Sequence, residues 1–147
     1  MRWQILVAGK PALSYAKAGV DEYLLRLKRY LDCELLILKA GGSEEVSARL
    51  LEKSAGSYRI ALDERGIRPT TRQLSETIAG LEMRGEIKYV SFLIGASDGH
   101  TAQLREESDM VLSLSSLTMQ HELALVVLLE QIYRIATLRR GEPYHRD

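Results

Sequence analysis

The chain has 147 residues, 46% hydrophobic and 27% charged, with 20 Lys+Arg balanced by 20 Asp+Glu. That is chain enough for one domain with an ordinary core, and a net charge of zero gives no sign of a free nucleic-acid binder while leaving room for a local basic patch. The lone cysteine, Cys33, excludes an intrachain disulfide or a zinc cluster and suits a reducing compartment; the longest apolar run, "LALVVLL", is far short of the ~20 residues that span a bilayer, so a soluble, cytoplasmic protein without membrane association is expected.

No internal repeat, low-complexity tract or linker interrupts the chain, and strand-like and helix-like segments alternate throughout. "MRWQILVAGK" has no small-residue cleavage site and reads as a first strand over 3–8 rather than a signal peptide. A 3.6-residue period follows, with Leu13, Ala16, Val20, Tyr23 or Leu24, Leu27 and Leu31 on one face. "CELLILK" is a second strand, and Cys33 at its start reads as a small buried residue. In "GGSEEVSARLLEKSAG", Ser43 is the expected N-cap, Glu44 and Glu45 suit the helix start, and Gly56 suits the stop. "YRIAL" is a third strand. Thr70 and Gln73 form a candidate capping box for a helix that Gly85 ends. "YVSFLI" is a fourth strand and "MVLSL" a fifth.

The last helix is predicted from about His121 to Arg140, with apolar residues around nearly its whole circumference. Such a helix is covered on more than one side, and a second copy of the chain is the expected cover, giving a homodimer through this helix. Apolar strands alternating with helices predict an α/β fold with a mostly parallel sheet, helices on both faces, in a single domain over 1–147. In such sheets ligands bind beyond the carboxyl ends of the strands.

Three loops at such positions are candidates for chemistry. "FLIGASDG" is a strand running into a Gly-x-x-x-Gly turn; it is neither a dinucleotide fingerprint nor a P-loop, and reads equally as a ligand loop or a tight turn in which Asp98 caps a helix. "ALDERG" offers Asp63 and Glu64, either as catalytic carboxylates or as solvated turn residues. In "LSLSSLTMQH" small hydroxyls alternate with apolar residues; either backbone groups of the loop ring an adenine while Leu114, Leu117 and Met119 pack on its faces, or the segment ends a strand before an N-cap at Ser116 or Thr118. The three histidines are too scattered for a metal site, and none is expected. Glu130 and Arg134 have the spacing of a helical ion pair. The terminal "GEPYHRD" stops a helix with Gly141 and Pro143, then presents an aromatic ring, an imidazole and a guanidinium.

Together "QILVAGK", "LIGASDG", "LSLSSLTMQHEL" and "LLEQIYRIATLRRGEPYHRD" resemble the H-type ribosomal RNA methyltransferases of the SPOUT (α/β-knot) superfamily, which methylate N3 of a pseudouridine in large-subunit (23S) ribosomal RNA. The resemblance runs the whole length of the chain. It implies a minimal SPOUT domain whose C-terminal part forms a trefoil knot, which connection rules alone argue against. It implies S-adenosylmethionine as methyl donor, held by Leu62, Gly95 and the run Leu114, Ser115, Ser116, Leu117, Thr118 and Met119. It implies a homodimer acting on the ribosome, with the tail of one protomer closing the donor site of the other. His145 is then the expected general base, since histidine titrates near neutral pH. Tyr144 would stack on the base and Arg146 hold a phosphate or the developing anion, with His121, Glu130 and Tyr133 in support. From 133 to 147 four arginines face Glu142 and Asp147, a basic excess so modest that docking on an assembled ribosome is expected to supply much of the affinity.

The chain departs from the family pattern twice. Ala96 stands at a second turn glycine, a mild change if its φ is negative, and Leu125 stands where the final helix usually carries an arginine. The lost arginine favours an alternative, a non-catalytic RNA-binding module that keeps the fold.

Overall fold

The structure, a computed structural model, describes residues 1–147. Five strands, β1 (Arg2–Ala8), β2 (Cys33–Leu38), β3 (Tyr58–Ile67), β4 (Tyr89–Ile94) and β5 (Met110–Leu112), form one sheet in the order β2-β1-β4-β3-β5. Every pairing is parallel. The connections are α1 (Ser14–Leu27), α2 (Ser43–Lys53), α3 (Thr71–Arg84) and α4 (Ala102–Glu107), and α5 (His121–Arg139) follows β5. The α/β expectation therefore holds, with helices on both faces.

The two-residue period of the strands divides the core. Trp3, Ile5, Val7, Ile60, Val90, Phe92 and Ile94 face α1, α3 and α5 and meet Val20, Leu27, Leu74, Ile78, Leu128 and Ile132. Leu6, Ala8, Ala61 and Leu93 face the other way and meet Val46, Leu50 and Leu104 of α2 and α4. The central strands β1 and β4 are covered on both faces, which is why they read as continuous apolar runs.

The chain itself covers most of α5. Leu125, Leu128, Leu129, Ile132, Ile135 and Ala136 are buried against the sheet and neighbouring helices, leaving Leu123 exposed and Val126 and Val127 half-buried. An apolar circumference thus does not by itself demand a second chain. The approach of α1 to α5 is close enough that a Cβ at Gly19 would lie 3.0 Å from Val126 Cγ1.

Several boundaries differ from expectation for local reasons. β3 does not stop at Leu62; it bulges and resumes pairing at Ile67 opposite Leu112, so "DERG" is irregular strand and not a free turn. β5 ends at Leu112, and one further bond to β3, from Ser113 N–H to Ile67 O at 2.8 Å, holds the chain as it leaves the sheet. Ser43 is the first residue of α2, not its cap: its N–H donates to Asp98 Oδ2 at 3.1 Å and its hydroxyl to Gly99 O at 2.7 Å. Asp98 therefore caps a helix from across the sheet. Gln120, not Ser116 or Thr118, caps α5 by accepting from the N–H groups of Glu122 and Leu123. The capping box of Thr70 and Gln73 and the left-handed Gly85 stop bound α3 as read.

Candidate active site

The carboxyl ends of β3, β4 and β5 enclose a cavity of about 340 Å³. Leu62 lines it from β3, Gly95 from the loop after β4, and Leu114, Ser115, Leu117, Thr118 and Met119 from the segment between β5 and α5. Of the eight residues expected around a methyl donor, only Ser116 is not in the wall, and His121 stands at its edge. Sequence-distant residues meet here because parallel strands point their C-terminal loops the same way.

Gly95 is required by contact, not by conformation. A Cβ there would meet Nδ1 of His100 at 2.8 Å and Cε1 at 2.9 Å. The His100 ring is 6% exposed; Nε2 lies 3.1 Å from Leu93 O, and Nδ1 is buried with no partner. Burial lowers its pKa, so the ring is neutral. No non-glycine residue has positive φ, so Ala96 sits without strain in place of the family's second glycine.

The solvated reading of Asp63 is overturned: its side chain is 5% exposed. Oδ1 accepts from Arg65 N–H at 2.9 Å, and Oδ2 lies 3.5 Å from Arg65 Nη1 and 3.6 Å from Arg105 Nη1. Glu64 accepts from the Thr118 hydroxyl at 2.9 Å, joining the bulged strand to the segment before α5. The wall holds three carboxylates, Asp63, Glu64 and Asp98, against one guanidinium, Arg65, with Arg105 behind Asp63, and this surplus suits a cationic ligand. Beside it Glu122 accepts from the N–H groups of Ala12 at 2.5 Å and Leu13 at 3.0 Å, which hold its carboxyl below the usual range and tie the start of α1 to that of α5.

Tyr144, His145 and Arg146 do not line the cavity of their own chain. Gly141, at φ +69°, turns the chain off α5, and the tail folds back along that helix. Tyr144 packs edge-on against Tyr133 at 4.8 Å and donates to Glu130 Oε1 at 3.1 Å. Burial first, then the Glu130 carboxylate, pushes its phenol up to about 12. Glu130 is also held by Arg134, as the spacing predicts. Arg134 Nη1 lies 3.2 Å from His145 Nδ1, and His145 Nε2 lies 2.9 Å from Asp147 Oδ1. A guanidinium only donates, so Nδ1 accepts and Nε2–H donates to Asp147. Asp147 also pairs with Arg72, which lowers its pKa. Arg146 is exposed.

Leu125 is fully buried in the core beneath α1. In this chain that position packs the helix and has no access to a ligand.

Sequence reading misses His100, which lines the cavity from the loop after β4, and Arg105, which stands behind that loop on α4; neither carries a motif. Gln120 and Asp98 are also in the wall, the first as a helix cap and the second as a cap for α2.

Residues 1–145 match the family model described as "Predicted SPOUT methyltransferase". The chain is 47% identical over 146 residues to a ribosomal RNA large subunit methyltransferase H of Thermus thermophilus, covering 99% of each chain. It is 38% identical to the protein of that name from Deinococcus radiodurans, again over 99% of each. A solved structure, a probable methylase family protein from Haemophilus influenzae Rd KW20, superposes with a TM-score of 0.55 at 10% identity, covering 99% of this chain and 70% of that one, a likeness of fold.

Proposed function

The chain belongs to the SPOUT methyltransferase family, and from that premise we propose that it is a ribosomal RNA methyltransferase that uses S-adenosylmethionine to methylate N3 of a pseudouridine in the large-subunit RNA. The observation that carries this is the convergence of Leu62, Gly95 and the 114–119 segment on one cavity at the carboxyl ends of three parallel strands.

The residues present suit the donor. The volume lies within the range of small-molecule sites. Leu62, Leu114, Leu117 and Met119 offer apolar walls for a heterocycle, and the excess of carboxylates suits a sulfonium. When bound, that sulfonium supplies an already activated methyl group. The remaining task is to orient the target nitrogen and remove its proton, because an imide N–H is a poor nucleophile until deprotonated.

We assign proton removal to His145. To accept a proton, Nδ1 must leave Arg134, while the Nε2–H bond to Asp147 supports the charge that forms. Tyr144 offers a ring face for stacking and Arg146 a free cation for a phosphate. Since the tail does not reach its own cavity, the reading requires a homodimer in which it serves the partner's. Exposed Leu123 on α5 and Leu117 at the cavity edge supply apolar surface for that contact. We propose that the C-terminal part of the chain carries the family's trefoil knot.

The test is methyl transfer from labelled S-adenosylmethionine to ribosomes lacking the modification, with the product nucleoside identified by mass spectrometry. Labelled N3-methylpseudouridine is expected. Donor binding without transfer to any ribosomal RNA would refute the reading.

A further inference from the structure

We propose that Arg105, which does not line the cavity, is a positioning residue that sets the gap between the two donor-binding loops after β3 and β4. The proposal rests on reading the cavity as the donor site.

Arg105 lies on α4 with its side chain 24% exposed. Its Nη1 donates to the backbone carbonyl of His100 at 2.8 Å, within the loop that Gly95 begins. The same nitrogen stands 3.6 Å from Asp63 Oδ2, within the bulge that Leu62 begins. One guanidinium thus bridges one residue of each wall. Beneath the walls β3 and β4 pair only as far as Ala61 opposite Leu93; beyond that point Asp98 and Ser47 fasten the β4 loop to α2, and the bulge is fastened to β5.

The electrostatics give the bridge its weight. Asp63 has only two cations near it, and the other, Arg65, has a side chain 65% exposed and 3.5 Å away. Without Arg105 a carboxylate that is 5% exposed keeps the Arg65 N–H on Oδ1, but Oδ2 is left with only a solvent-screened guanidinium. It then draws in water or swings toward the cavity, and either change moves Leu62 relative to Gly95. The His100 ring beneath Gly95 transmits the other half, because its carbonyl loses a charged donor while the ring stays wedged at Leu93 O. Lysine is a partial substitute: it keeps the charge but not the planar fork.

The experiment measures S-adenosylmethionine Kd by calorimetry, and KM for ribosomes, in wild type, Arg105→Met, Arg105→Lys, Asp63→Asn and the Arg105→Met/Asp63→Asn double variant. Arg105→Met should raise donor Kd by about tenfold, the order expected for a lost charge-assisted hydrogen bond. Arg105→Lys should fall between, ribosome KM should stay within about twofold, and the double variant should bind no worse than the weaker single one, the non-additivity of a shared interaction. A folded Arg105→Lys or Arg105→Met protein with wild-type donor Kd overturns the proposal. So do additive effects, or equal increases in both constants, which mark general destabilisation. If the wild type binds no donor, the reading of the cavity itself fails; if it binds and Arg105 is indifferent, only this inference fails.

Discussion

Two glycine-to-alanine changes should move stability in opposite directions, and the structure sets both signs. Gly66 lies in the bulged stretch of β3 beside β5. A Cβ there would overlap the Val111 carbonyl, with its carbon 2.5 Å away and Leu112 N at 2.7 Å. All of these atoms are backbone, so no side chain can turn aside. Ordinary contact begins at 3.4 Å, so the strands must part by more than half an ångström. The Ser113–Ile67 bond and the Leu112 pairing lie at that point, and Leu112 is 2% exposed. Losing one or two bonds at about 1 kcal/mol each, with partial exposure of Leu112, costs about 2–4 kcal/mol. Gly80, inside α3, has nothing within 4 Å of its Cβ position, so alanine there should gain about 0.4–1 kcal/mol.

Urea denaturation of wild type, Gly66→Ala and Gly80→Ala measures this directly, and a thermal scan should shift by about 2–4 °C per kcal/mol. Gly66→Ala should also weaken donor binding, because β5 runs straight into the cavity wall. Stability of Gly66→Ala within about 0.5 kcal/mol of wild type would refute the close backbone packing at the bulge.

His145→Ala and Tyr144→Ala should bind S-adenosylmethionine with near wild-type Kd and lose most methyl transfer; a wild-type rate in both would remove the tail from the chemistry. For Glu122 the folded pKa is depressed, so its stabilisation is complete above the ordinary glutamate range and is lost as pH falls through the lowered value. The Tm gap between wild type and Glu122→Gln should therefore be widest near neutrality and close in acid, and a pH-independent gap would contradict the helix-start role. Ribosomes should be methylated much faster than protein-free RNA, given the modest basic excess of 133–147, with equal rates overturning that expectation.

What the sequence reveals follows a physical division. The five strands, α3 with its box and stop, and the Glu130–Arg134 pair depend on neighbours within four residues or on burial of whole segments, and both leave a pattern. What it conceals depends on distant backbone. Asp63 looks like a turn residue because nothing local shows that Arg105 lies over it, and Asp98 caps a helix 55 residues away. The bulge that carries β3 past Leu62 is set by β5, which comes more than forty residues later in the chain. The cavity loops are visible as glycine and hydroxyl patterns, but their role comes from resemblance to a family.

The tail is the sharpest case, and it makes a shared site testable. Both ring nitrogens of His145 are engaged within one chain, by Arg134 and Asp147, so a chain acting alone presents no free base to its own cavity. If the partner's cavity is the target, damage to the two elements can be separated by subunit. His145→Ala removes the base. Gly95→Ala drives a methyl into the His100 ring at under 3 Å and should spoil the donor wall. Each homodimer should be nearly inactive. Co-refolded mixtures should regain activity, approaching about a quarter of wild type at equal ratio, because half the dimers are mixed and each carries one intact pair of tail and cavity. Sites confined to one chain would give no recovery, since every chain in the mixture carries a defect, and that result would refute the shared site.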